Sequence, residues 1–143
     1  MGKQMSYKRI MLALSGRGDE GVVIDEAVRF ANTFNVQLVV VHVNDPHDSE
    51  MSMLMDSTGH RFTASEIRDL FRSLGHEEIA NRLEVRILEG EVIHKEISKA
   101  SHDADLLVLG HRKMSSFKER FFDSVDEGIV NHVNCPVLIV PKD

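Results

Sequence analysis

The chain predicts an α/β fold, a five-stranded parallel sheet with helices on both faces. Three observations predict it. Short apolar runs alternate with segments of helical period along the 143 residues. The runs at 36–43 and 106–109 are apolar at nearly every position, as strands covered on both faces must be. No repeat, linker or low-complexity tract breaks the alternation, so residues 1–143 are expected to form one domain.

The elements follow in order. Residues 8–14 are the first strand. Residues 19–34 are a helix with Val23, Ala27, Phe30, Ala31 and Phe34 on one face. Residues 36–43 are the second strand, and 44–59 a polar connection with several methionines and no clear period. A second helix starts near Thr63, where Thr63-x-x-Glu66 matches a capping box, and continues through Ile67, Leu70, Phe71 and Leu74. Gly75 is a candidate break in it. Residues 83–88 alternate partly, with Leu83, Val85 and Ile87 against Glu84 and Arg86, which suits a half-exposed edge strand. A short helix at 91–101 passes through Ile93, Ile97 and Ala100. Residues 105–109 are the fourth strand and 137–140 the fifth. Between them lies a fourth helix with Phe122, Val125, Ile129 and Val133 at helical spacing.

The fifth strand (Val137, Leu138, Ile139, Val140) is apolar on both faces. At a sheet edge its unpaired backbone would invite another chain, so a homodimer through this strand is the expected partner. The net charge of −6 argues against nucleic acid. No apolar run approaches the roughly 18 residues of a membrane span. The first eight residues lack the apolar core of a signal peptide. Cys135 is the only cysteine, which excludes an internal disulfide and suits the cytoplasm.

Chemistry-bearing motifs are few. Gly110 ends the fourth strand ahead of a loop and a helix, the place where α/β proteins hold phosphates. Gly16-x-Gly18-x-x-Gly21 spells a dinucleotide fingerprint, with Asp45 where a ribose-binding acid belongs. Against it, Asp19 and Glu20 sit inside the loop and would repel pyrophosphate. The alternative is a turn ahead of the first helix, with Asp19 as N-cap. His47, Met51, Met53, Met55 and His60 suit a packing or interaction surface better than a soft-metal site, so no metal is expected. His42 is expected to be a hydrogen-bonded structural histidine. His111, next to Gly110, is a candidate ligand contact. No nucleophile, base and acid set is readable, so no catalytic residue is expected.

The chain resembles the universal stress protein family. The resemblance is carried by KRIMLAL (8–14), LVVVHV (38–43), DADLLVLG (103–110) and NHVNCPVLIV (131–140), and it spans residues 8–141. It implies the adenine-nucleotide alpha-hydrolase-like fold, usually dimeric through the fifth strand, and in many members ATP or AMP as ligand. The implied nucleotide contacts are Ala13, Leu14 and Ser15 at the end of the first strand, Val43 at the end of the second, Gly110, Lys113, Ser124 and Val125. The family's phosphate loop has three glycines. Here the first is Gly110, while Lys113 and Asp123 replace the other two, and Ser15 replaces the family's first-strand Asp.

These departures predict a weakened cleft. A carboxylate about 5 Å from a phosphate repels it by roughly 3 kcal/mol per unit charge at an effective dielectric of 20, about a hundredfold in affinity. Asp123 supplies that carboxylate. Lys113 either holds a phosphate or pairs with Asp123, and Arg112, Lys118 and Arg120 add positive charge nearby. The expected function is a dimeric stress-response binding or interaction module with a degenerate nucleotide cleft. An ATP- or AMP-binding sensor is the alternative, and a slow nucleotide hydrolase the second alternative.

Overall fold

A computed structural model describes residues 7–46, 61–111 and 124–142; for residues 124–126 it describes the backbone alone. Five parallel strands form one sheet: β1 (Arg9–Leu14), β2 (Gln37–Asn44), β3 (Glu84–Glu89), β4 (Leu106–His111) and β5 (Val137–Pro141), in the order β3-β2-β1-β4-β5. Among the described residues five α-helices connect them. These are α1 (Gly21–Phe34), α2 (Ala64–Ser73), α3 (Glu77–Arg82), α4 (Ile93–Ala100) and α5 (Ser124–His132), with a 3-10 turn at Ser101–Asp103 after α4.

The period-2 alternation of β1 sorts the core. Ile10, Leu12 and Leu14 face α1, α2 and α3, where they meet Val23, Ile24, Ala27, Ile67, Phe71 and Ile79. Met11 and Ala13 face α4 and α5, where they meet Ile97 and Ile129. In β2, Val39, Val40 and Val41 are all fully buried, as their continuous apolar run requires. Each such side chain contributes about 1.5–3 kcal/mol through burial. At one edge β3 is half-buried, as its partial alternation predicts. β5 forms the other edge.

Two expectations need correction, and the candidate break at Gly75 is borne out. The first helix begins at Gly21, not Asp19, and its N-cap is Glu20. Its buried face is Val23, Ile24, Ala27, Val28 and Ala31, which leaves Phe34 exposed at the C-terminal end, edge-on to Tyr7. The second helix is two helices. Thr63 caps α2 with the expected Glu66 capping box, but Gly75, at φ +87°, turns the chain and α3 starts afresh at Glu77.

The strand order places the functional end of the molecule. From β1 the chain moves outward to β2 and β3, then returns to the other side of β1 for β4 and β5. The switch point therefore lies between β1 and β4. In open α/β sheets, ligands bind in the crevice beyond the carboxyl ends of the strands at that point.

Candidate functional site

At the switch point β1 ends in Leu14 and continues as a turn, residues 15–20. Gly16 and Gly18 adopt left-handed backbone angles there, φ +79° and +83°. The turn folds back so that Glu20, 7% exposed, lays its carboxylate on the end of β1. Oε1 accepts from the Ser15 amide at 3.0 Å and the Gly16 amide at 2.9 Å, and Oε2 accepts from the Ser15 amide at 3.0 Å. A carboxylate this buried is retained only because charge-assisted bonds replace its hydration.

Beside the turn, at the end of β2, lies His42, 5% exposed. Its Nδ1 stands 2.9 Å from the Leu14 carbonyl. A carbonyl only accepts, so Nδ1 carries the proton and donates. The Phe62 ring meets His42 edge-on, with centroids 4.9 Å apart. Asn44 fixes Phe62 from both sides. Its Oδ1 accepts from the Phe62 amide and its Nδ2 donates to the Phe62 carbonyl, both at 3.0 Å. The aromatic pair roofs Gly16 so closely that a Cβ there would stand 2.5 Å from Phe62 Cε2.

The third wall is the end of β4. A Cβ on Gly110 would lie 2.7 Å from Val23 Cγ2 and 2.9 Å from Lys142 Cδ. The bare face of this glycine is thus covered by the protein's own side chains. Lys142 follows β5, and its amide donates to the His111 carbonyl at 2.9 Å. Its ammonium reaches Asp19 Oδ1 at 3.3 Å, with the lysine side chain 9% exposed.

The expected contact residues fall as follows. Ala13, Leu14 and Val43 are buried in the sheet, and Ser15 is exposed with its amide given to Glu20. Ser15 and Gly110 stand at adjacent strand ends, with Val43 one strand further out at the end of β2. Ser124 and Val125 open α5, with side chains outside the described part. Lys113, Arg112, Lys118, Arg120, Phe122 and Asp123 also lie outside the described residues, as do His47, Met51, Met53, Met55 and His60. His42 is the hydrogen-bonded structural histidine its position implied.

The sequence reasoning missed Phe62, Asn44, Lys142 and the inward turn of Glu20. For Glu20 a signal existed: an acid six residues past the strand end, in a glycine-rich turn, has the reach to bond the first amides after the strand. The Gly16-x-Gly18-x-x-Gly21 spacing reflects this turn. Asp19 is not an N-cap but an ion-pair partner of Lys142.

The Ser15 and Gly16 amides already serve a carboxylate, and Asp19 and Glu20 both stand at the turn. Among the described residues no three His, Cys, Asp or Glu side chains are grouped to hold a metal. None of the described helices is long and apolar enough to cross a membrane. A cavity of about 250 Å³ lies at the far end of the sheet, lined by Asn35, Gln37, Leu38, Ile79 and Arg82 among others, and takes no part in this cleft.

The model of the universal stress protein family matches residues 6–141. A universal stress protein of Synechocystis is 25% identical over 153 residues, covering 95% of this chain and 99% of the relative. A universal stress protein crystallised in complex with cAMP superposes with a TM-score of 0.67 at 20% identity, covering 96% of this chain and 99% of the other. One from Archaeoglobus fulgidus in complex with dAMP gives 0.60 at 21% identity, covering 94% and 98%. At these identities the two structures speak for the fold.

Proposed function

The chain belongs to the universal stress protein family, and from that premise we propose that it is a stress-response binding module whose nucleotide cleft is closed by its own side chains. In this reading residues 1–143 work as one domain in the cytoplasm, paired into a homodimer through β5. The observation that carries it is Glu20. Its carboxylate takes the backbone donors at the end of β1, where an incoming anion would need them. At about 5 Å a phosphate would meet roughly 3 kcal/mol of repulsion per unit charge from such a group at an effective dielectric of 20. The sequence also carries Asp123 at a position where the family has glycine.

The competing reading is an ATP- or AMP-binding sensor. It is favoured by proteins of the same fold whose structures were solved in complex with cAMP and dAMP. In that reading Ala13, Leu14, Ser15, Val43, Gly110, Lys113, Ser124 and Val125 form the contacts. Calorimetric titration of ATP, AMP and cAMP into the full chain separates the two. The closed cleft predicts no saturation below about 1 mM, and a gain of roughly tenfold or more on combining Glu20→Gln with Asp123→Gly. Stoichiometric submillimolar binding by the unaltered chain overturns the closed cleft. ADP released steadily from ATP by the unaltered chain points to the hydrolase.

The dimer is supported by the edge position of β5 and by its half-buried Val137, Leu138 and Ile139.

A further inference from the structure

We propose that Lys142 is the latch of this cleft: its ion pair with Asp19 ties the residue after β5 to the turn after β1, across Gly110, and so holds Glu20 on the Ser15 and Gly16 amides. The inference rests on the reading of the cleft as closed from within. Lys142 is anchored at both ends. Its amide extends the β4–β5 ladder onto the His111 carbonyl, and its stem lies over the bare face of Gly110. Between these anchors the side chain is 9% exposed, so its ammonium needs a counter-charge to remain there. Asp19 supplies it at 3.3 Å.

Asp19 immediately precedes Glu20, so pinning Asp19 sets the direction from which the Glu20 carboxylate approaches β1. Release of the pair would free the turn of a long-range tie to the C-terminal segment, since Lys142 and Asp19 are 123 residues apart in the chain. The turn would then be held by Glu20 itself and by the Phe62–His42 roof over Gly16. The latch also links two parts of the molecule. Lys142 directly follows the edge strand proposed for dimerisation, so the position of β5 is transmitted to the mouth of the cleft.

Amide hydrogen exchange on the full chain, read residue by residue by NMR, tests the latch. Lys142→Met keeps an apolar stem over Gly110 and removes the charge. Asp19→Asn removes the other partner. Both should speed exchange of the Ser15 and Gly16 amides by about threefold or more, while core amides of β2 keep their rates. Lys142→Arg should restore the slow rates.

Unchanged Ser15 and Gly16 rates in both charge-removing variants overturn the latch. So does acceleration spread evenly over the chain, which would mark a general loss of stability. Nucleotide titration of the same samples reads the cleft separately. Submillimolar ATP binding by the unaltered chain sinks the closed cleft, whereas an exchange failure sinks the latch alone.

Discussion

Gly16 and Gly18 have almost the same backbone conformation and opposite surroundings. Both are left-handed, which costs a non-glycine residue about 1–2 kcal/mol. A Cβ on Gly18 meets nothing within 4 Å, whereas one on Gly16 meets Phe62 at 2.5 Å. Phe62 cannot retreat freely because Asn44 holds its backbone on both sides. Overpacking of this kind adds about 1–3 kcal/mol. Gly16→Ala should therefore destabilise the protein by at least about 1 kcal/mol more than Gly18→Ala in urea unfolding. Equal losses would mean that the aromatic roof yields. The same contrast explains why this turn was only half legible in the sequence. The glycine spacing announced a tight turn after a strand, but the same letters serve a dinucleotide loop. The direction of one carboxylate decides between them, and spacing does not carry it.

The elements were legible wherever one physical rule dominated. Thr63 and Glu66 fixed the start of α2, because the cap and the first turn satisfy each other locally. The split at Gly75 was visible as a glycine but not as a new helix, since Glu77–Arg82 is too short to show a period. Phe34 was misplaced because it shares the apolar stripe of α1 yet lies at the helix's C-terminal end, where Tyr7 and Phe30 cover it only in part. Long-range ion pairs left no sequence pattern. Asp103, in the turn after α4, accepts from Arg9 at 2.7 Å and from Arg86 at 3.3 Å, joining β1, β3 and the start of β4. The hydrogen bond from Arg86, opposed by burial and helped by the charges of Arg86 and Arg9, holds the Asp103 carboxyl below the usual carboxylate range. A lowered folded-state value means stability that is present above the unfolded value and lost as pH falls through the folded one. Asp103→Asn should lower the melting temperature at neutral pH, and the gap should narrow as acid protonates the unaltered Asp103. A gap independent of pH would show that the packing of Asp103 matters rather than its charge.

At the scale of the whole molecule, the alternation of strands and helices announced a parallel sheet. The order β3-β2-β1-β4-β5 was not legible, because no local pattern says which strands are neighbours. The edges were a different matter. β3 mixes Glu84 and Arg86 into its apolar positions and can face water, whereas Val137, Leu138, Ile139 and Val140 carry no charge. The backbone of β5 makes the proposed dimer testable without disturbing the sheet. The Pro136 carbonyl and the Lys142 amide both bond β4, so residues of even number turn their backbone groups inward. Residues 137, 139 and 141 turn theirs outward, and Pro141 already lacks the N–H on that side. Ile139→Pro removes one more outward donor and spares the ladder to β4. If two copies pair through this edge, the variant should sediment as a monomer at concentrations where the unaltered chain sediments as a dimer, with the far-ultraviolet circular dichroism of a folded protein in both. An unaltered chain that is monomeric would remove the dimer, and an Ile139→Pro variant that remains dimeric would move the contact away from β5. Either would also remove the route by which a partner subunit reaches Lys142, leaving the cleft governed by its own turn.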